Sequence, residues 1–382
     1  MQLGFSRVAS SLIPHSFVLI TWLILGYSLP PKRLDIPPPS WEQRSTWRLD
    51  SSSWPICVGQ SRGVLCYQQG DDEMYKNLNA AALGISGRQS ELIELAMTFG
   101  FQGLDIDALD FEKRSARTDF QKASRFLLSS KMRVGSFDVP TDLDADEVVF
   151  EQSLKAVESV VDVAGQAGAR AGIVRIPAAT DRFAFPQYFE WIRNRIDRLG
   201  GIFEKHSVLL GLVFTTYSEA RAGKQYSFVH DVHGALALYN ACGSQAVGLV
   251  IDSFDWTVGK GTWEQLATLP GARIAGFNIA DLSESPAIEA CDKSARLIAG
   301  TTGRIDNAKF AMMLHQQGYD GPITSCPEAS NFGTVTRDAI VSRAQEVLDQ
   351  TLQKAGLPTQ TRRPDLVVAG KDTSFEQFGA DA

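Results

Sequence analysis

The chain has 382 residues, 44% of them hydrophobic, and a formal net charge of −7 at pH 7. This length and hydrophobic fraction are typical of a globular protein with a large core, and they exclude a chain that is disordered throughout. The acidic balance argues against a nucleic-acid partner, because duplex binding depends on Lys and Arg side chains that neutralise phosphates.

The first 73 residues are predicted to be an unstructured leader, since residues 30–72 are rich in Pro, Ser and Trp and show no sustained period. Residues 17–25, FVLITWLIL, are too short for the ~18–20 residues of a membrane span, so none is predicted. They resemble the core of a signal peptide, so export is the alternative to a cytoplasmic location if residues 1–27 act as one. A further interpretation is that the native protein begins at Met74.

From residue 74 to residue 356, short apolar runs alternate with helical segments, a rhythm that builds parallel sheets. The predicted strands are residues 77–83, 103–106, 132–139, 171–176, 208–214, 246–252, 273–278 and 323–325. The predicted helices are residues 90–99, 118–130, 150–167, 186–206, 230–241, 307–317 and 337–352. Eight units favour an α/β fold closed into a (β/α)₈ TIM barrel, followed by a tail at residues 357–382.

Side chains that build metal sites are few. The five cysteines contain no CxxC pair, so no zinc ribbon is predicted, and the three in the barrel region are expected to be reduced thiols. His230 and His233 lie three residues apart at a predicted helix start. No other ligand is placed beside them, so local contacts are favoured over a metal.

The candidate site lies at the carboxyl ends of the strands, where the active sites of such barrels gather. Asp252 and Asp255 follow predicted strand six with Trp256 beside them, and paired carboxylates suit a cation or a polyol hydroxyl. Arg175 ends predicted strand four, where a guanidinium suits a phosphate or carboxylate unless a neighbouring aspartate pairs with it. Lys224 lies in a loop that could fold over the site, although a lone loop lysine is commonly solvated. The other predicted substrate-binding residues are Asp107, Asp138, Asn278 and Asp281.

Several segments carry a family resemblance: LGISG, GFQGLDID, GLV with RAGKQYSF, VGLVIDSFDW, FNIADL, GTTGRID and ITSCPEASNFG. In order and spacing they resemble the sugar phosphate isomerase/epimerase family, the xylose isomerase-like TIM barrels, over nearly all of residues 74–352. The resemblance implies a sugar or sugar-phosphate substrate and proton transfer between adjacent carbons of a ketose.

The resemblance also implies a divalent metal (Mn, Mg or Zn) held by Glu, Asp, His and Glu at the ends of strands five to eight. The corresponding residues here are Val213, Asp252, Asn278 and Cys326. One ligand of four remains, and valine cannot exchange a proton while a neutral thiol is a poor ligand for a hard metal. We therefore predict no complete metal site, with Glu328 as a stand-in for the strand-eight carboxylate.

Two functional interpretations follow. The chain is an isomerase/epimerase-family protein that acts without the metal, with Asp252, Asp255 and Glu328 as acid/base candidates and Arg175 or Lys224 as anion anchor. Alternatively, it is an inactive barrel that binds a sugar or polyol as a sensor or subunit. Endonuclease IV-like DNA repair is disfavoured, because it calls for a histidine-rich zinc cluster and a basic face. Both a monomer and an oligomer are compatible with the fold.

Overall fold

The computed structural model describes residues 73–284 and 291–359. The predicted leader with its apolar run, and the tail beyond residue 359, lie outside these residues. Within the described ranges, no helix is both long and apolar enough to cross a membrane.

Eight parallel strands form a closed barrel, as predicted. Their order around the barrel is β1-β8-β7-β6-β5-β4-β3-β2, and β1 pairs with both β8 and β2, which closes the ring. The strands are β1 (Tyr75–Leu78), β2 (Gly103–Leu104), β3 (Arg133–Asp138), β4 (Ala169–Arg175), β5 (Leu209–Val213), β6 (Val247–Asp252), β7 (Ile274–Ile279) and β8 (Pro322–Ser325).

Helices follow the strands and cover the outside of the barrel. They are α1 (Gln89–Thr98), α2 (Ala108–Arg117), α3 (Phe120–Ser130), α4 (Glu147–Gln166), α5 (Phe185–Lys205), α6 (Val232–Ala241), α7 (Ser253–Val258), α8 (Trp263–Ala267), α9 (Asn307–Gln316) and α10 (Arg337–Lys354). In α4 the buried residues Val157, Val160, Val161 and Ala164 recur at helical spacing, so one face of the helix packs inward.

Apart from shifts of up to three residues at element ends, the structure differs from the sequence prediction in three places. The first strand ends at Leu78, because the Asn79 side chain accepts the Ala82 amide at 2.9 Å and turns the chain. Helix α2 was not predicted; most of its residues are polar or charged, and only Ala108 and Phe111 are buried. Helices α7 and α8 have six and five residues, too few to show a period.

The inner face of the barrel carries the strand-end side chains. Residues paired in register project to the same face of a sheet, and Asp252 lies opposite Asn278 while Arg175 lies opposite Val213. The interior below the strand ends is apolar: Ala171, Val250 and Ala275 form a buried cluster, and Ile173, Leu209 and Val213 pack against it. We call the inner-face side chains at and just beyond the strand ends the barrel mouth.

Candidate functional site

Two carboxylates at the end of β6 are held on one side of the mouth by local helix geometry. One oxygen of Asp252 accepts the amides of Phe254 and Asp255, both at 3.1 Å, so Asp252 caps the first turn of α7. Asp255 lies three residues on, which brings its carboxylate to the same side of the turn. Asp252 and Asp255 are 5% and 4% exposed, so both negative charges need partners inside the protein.

Arg296 supplies that partner. Its Nη2 lies 2.5 Å from Oδ2 of Asp252, and its Nη1 lies 3.2 Å from Oδ2 of Asp255. Its Nε–H donates to the main-chain carbonyl of Cys326, and its guanidinium lies 5.3 Å from the centre of the Phe254 ring. The guanidinium therefore bridges two carboxylates with the planar fork that arginine provides.

The connection between β7 and α9 places Arg296 in the mouth. Arg296 and Leu297 pair antiparallel with Asp281 and Leu282, directly after β7. The carbonyl of Arg296 accepts the amide of Glu328 at 3.0 Å and the side-chain amide of Asn331 at 3.0 Å. The backbone of Arg296 is therefore fixed from both neighbouring strand ends.

Asp281, a predicted substrate-binding residue, anchors this connection. It is fully buried, and its carboxylate accepts the amides of Leu282, Thr302, Gly303 and Ile305. Burial raises the pKa of Asp281, but these amides lower it by more, so the carboxyl lies below its ordinary value. Its hydrogen bonds hold the loop that follows Arg296.

All four oxygens of the two β6 carboxylates are engaged. Oδ1 of Asp255 accepts the amide of Thr216 at 3.0 Å and its hydroxyl at 2.7 Å, and the other three oxygens are those described above. Burial and the charge of Asp252 raise the pKa of Asp255 to about 6, despite Arg296 and Thr216. Burial also raises the pKa of the Cys326 thiol far above its ordinary value, so this thiol stays protonated at neutral pH.

The opposite side of the mouth is more open. Arg175 is exposed and donates to the hydroxyl of Thr215 at 3.1 Å, and among the described residues it forms no ion pair. Asp138 is exposed, whereas Asp105 is partly exposed and accepts the side-chain amide of Asn77 at 2.9 Å and the amide of Ser136 at 2.7 Å. Burial raises the pKa of Asp105 to about 6.

The remaining predicted residues are more scattered. Asp107 is exposed and caps α2, while Lys224 pairs with the exposed Asp181 at 2.7 Å. Trp256 is buried and donates to the carbonyl of Thr262 at 3.3 Å. Asn278 is half-buried beside Asp252, and Glu328 accepts the hydroxyl of Ser330 within its own turn. His230 lies 2.7 Å from the carbonyl of Phe228, which is the local contact that was favoured for it.

Two charged residues of the mouth were absent from the predicted site. Asp105 follows β2 in GFQGLDID, where its position at a strand end was the available signal. Arg296 lies in SARLIAG, where one charge among small and apolar residues was the only signal. Among the residues that the structure describes, no disulfide joins Cys242, Cys291 and Cys326.

The side chains present do not fit the divalent metal that the resemblance implies. Within residues 73–284 and 291–359, no three His, Cys, Asp or Glu side chains are grouped so that they could hold a metal ion. Val213 offers no donor atom, and Oδ2 of Asp252 is bound by Arg296. A hard divalent ion needs several oxygen ligands around it, and here a guanidinium faces the same oxygens.

Comparisons with known proteins agree with the fold. The xylose isomerase-like TIM barrel family model matches residues 93–351, whereas no curated protein has significant sequence similarity to the chain. A xylose isomerase domain protein from Alicyclobacillus acidocaldarius is 21% identical, with a TM-score of 0.66, over 74% of this chain and 99% of that one. The IolI protein with a bound zinc atom is 16% identical, with a TM-score of 0.63, over 74% and 99%. D-psicose 3-epimerase with D-fructose is 11% identical, with a TM-score of 0.56, over 74% and 100%.

Proposed function

Because the chain belongs to the xylose isomerase-like TIM barrel family, we propose that it binds a sugar or sugar phosphate at the barrel mouth and does not carry out metal-dependent proton transfer. One observation carries this proposal: every oxygen of Asp252 and Asp255 already accepts a hydrogen bond from the protein. A 1,2-proton shift needs a base on each face of an enediolate and a cation that polarises the carbonyl. Val213 and the protonated Cys326 thiol supply no such base.

The side chains on the open side of the mouth support a sugar or sugar phosphate as the ligand. The Arg175 guanidinium is exposed and has no carboxylate partner among the described residues, so it can take a phosphate or carboxylate through two parallel hydrogen bonds. Asp105 and Asp138 lie at the ends of β2 and β3 and can accept hydrogen bonds from hydroxyls. An anionic polyhydroxylated molecule matches this combination. Lys224 is tied to Asp181 and so contributes less to this side.

Ligand binding is tested by calorimetry on the full chain with D-fructose and D-fructose 6-phosphate. We expect the phosphate to bind at least about tenfold more tightly than the neutral sugar, because one charge-assisted anchor contributes on the order of 1.5 kcal/mol or more. Arg175→Gln should abolish that difference. Arg125→Gln, which changes an exposed arginine on α3, is the matched control and should leave it unchanged. Equal affinity for both sugars would contradict the anionic ligand class.

The absence of metal-dependent chemistry is tested by solvent deuterium. The full chain is incubated in D₂O with ketoses and their phosphates, with and without Mn²⁺ or Mg²⁺. We expect no deuterium at a sugar carbon in either case. Incorporation that depends on the added metal would overturn the proposal.

A second candidate function, metal-independent isomerisation or epimerisation, is favoured by one observation. The carboxyls of Asp105 and Asp255 both have a pKa of about 6 and follow β2 and β6, on opposite sides of the ring. Groups with a pKa near the working pH are suited to acid/base catalysis. Deuterium incorporation that persists in EDTA and is lost in Asp105→Asn would support this function.

A further inference from the structure

We propose that the Arg296 guanidinium permanently takes the place of a divalent cation between Asp252 and Asp255, and that removing it opens a cation site there. This inference goes beyond the proposed function. It concerns which cation neutralises the two carboxylates, whatever ligand the mouth binds.

Three hard oxygen atoms converge on the guanidinium. They are Oδ2 of Asp252, Oδ2 of Asp255 and the main-chain carbonyl oxygen of Cys326. They come from the end of β6, from α7 and from the residue after β8. Carboxylate and carbonyl oxygens are also the ligands that Mg²⁺, Mn²⁺ and Ca²⁺ prefer. The arginine therefore uses the kind of donor set that a hard metal ion would use.

Charge explains why the position needs a cation. Asp252 and Asp255 are almost fully buried and bring two negative charges, and Arg296, itself 6% exposed, brings one positive charge. Arginine stays protonated at every accessible pH, so this charge cannot be lost by titration. A divalent ion that entered beside it would meet a like charge in a desolvated site, which excludes the ion while the guanidinium is present.

Arg296 has more contacts with the protein than an arginine in an ordinary ion pair. An ordinary pair needs one carboxylate, whereas this guanidinium bridges two that lie three residues apart. The carbonyl of Arg296 is held by Glu328 and Asn331, and the short antiparallel pairing fixes its backbone beside Asp281. Contacts to both the main chain and the guanidinium of Arg296 therefore fix its position.

The test measures bound metal and melting temperature in the full chain, with Mn²⁺ as the probe. The unsubstituted protein should bind no stoichiometric Mn²⁺, and its melting temperature should not change when Mn²⁺ is added. Arg296→Ala should bind about one Mn²⁺ per chain and should melt several degrees higher with Mn²⁺ than without it, as ligand linkage requires. Arg296→Ala combined with Asp252→Asn should lose both effects.

Two further variants keep the test decisive. Arg296→Lys retains a positive charge and should exclude Mn²⁺ like the unsubstituted protein, and Arg125→Ala should behave like the unsubstituted protein in every assay. If Arg296→Ala does not fold alone, we expect folded protein when Mn²⁺ is present during refolding. Failure of Arg296→Ala to bind Mn²⁺, whether it folds or not, would overturn the inference. So would stoichiometric Mn²⁺ in the unsubstituted protein that is lost in Asp252→Asn.

Discussion

The two sides of the barrel mouth use the same kinds of side chain in opposite ways. On the closed side, Arg296 is buried between Asp252 and Asp255 and pairs with both. On the open side, Arg175 is exposed at the end of β4 with Asp138 exposed at the end of β3. A buried guanidinium between two carboxylates makes the loss of any partner costly, whereas an exposed one remains available to a ligand. The two arginines therefore differ in burial and in partners, although they are the same residue type.

The largest expected difference between the two sides is in stability. Arg296→Ala leaves two buried carboxylates without a cation and should lower the free energy of unfolding by about 3–5 kcal/mol. Arg175→Ala should change it by roughly 0.5 kcal/mol or less, because Arg175 faces water. Urea unfolding at pH 7 without added metal measures both. Equal losses of unfolding free energy in Arg296→Ala and Arg175→Ala would contradict the distinction between the two sides.

Substitution of Asp281 tests whether the stability of the closed side depends on the connection between β7 and α9, which contains Arg296. Asp281→Asn replaces an acceptor-only carboxylate, which faces several amides, by a group with its own N–H donors, and should cost on the order of 2 kcal/mol at pH 7. Because its folded pKa lies below the ordinary 3.8, its contribution is present above that pH and is lost as pH falls through the folded value. Urea unfolding at pH 7 and pH 3 should therefore show a smaller effect at pH 3.

The exposed Glu94 on α1 provides the control for that measurement. Glu94→Gln should leave stability unchanged at both pH values. An Asp281→Asn loss that stays constant between pH 7 and pH 3 would show that the amides do not act on an ionised carboxylate.

Thr215 and Thr216 compare the two sides at adjacent residues. The Thr216 hydroxyl donates to the buried Asp255 at 2.7 Å, whereas the Thr215 hydroxyl accepts from the exposed Arg175 at 3.1 Å. Thr216→Val should cost about 1–2 kcal/mol, because a charge-assisted hydrogen bond to a buried group is lost. Thr215→Val should cost roughly 0.5 kcal/mol or less, since Arg175 can bond to water instead. A larger loss of unfolding free energy in Thr215→Val than in Thr216→Val, measured by chemical unfolding, would contradict the distinction between the closed and open sides.

The smallest predicted effect concerns the pH dependence of Asp105. Its folded pKa of about 6 lies above the ordinary 3.8, so its ionised form weighs against folding at neutral pH, and that penalty fades as pH falls through 6. Asp105→Asn should therefore be more stable than the unsubstituted protein by roughly 1 kcal/mol at pH 8, and the advantage should shrink by pH 5. Thermal unfolding at both pH values measures it. An advantage that grows toward pH 5 would contradict the raised pKa.

The fold was predictable from the sequence to a much greater extent than the site. Apolar runs marked most of the eight strands, because strands of a parallel barrel are buried on both faces. The exception is β1, whose sequence YKNL overlaps the predicted strand 77–83 at only two residues. The β6 carboxylates were also recognisable, since strand-end positions follow from the strands. Arg296 was not, because it comes from the long connection between β7 and α9, where no period sets its position. Its partners are 44 and 41 residues away in sequence, so only tertiary structure joins them.

The most direct test of the account is a Mn²⁺ titration of the unsubstituted full chain, followed by the electron paramagnetic resonance signal of free Mn²⁺. If Arg296 occupies the cation position, the signal should rise as it does in buffer alone, because no tight site is available. A signal that stays suppressed until about one Mn²⁺ per chain has been added would show a tight metal site. If that suppression disappeared in Asp252→Asn, the central claim would be wrong.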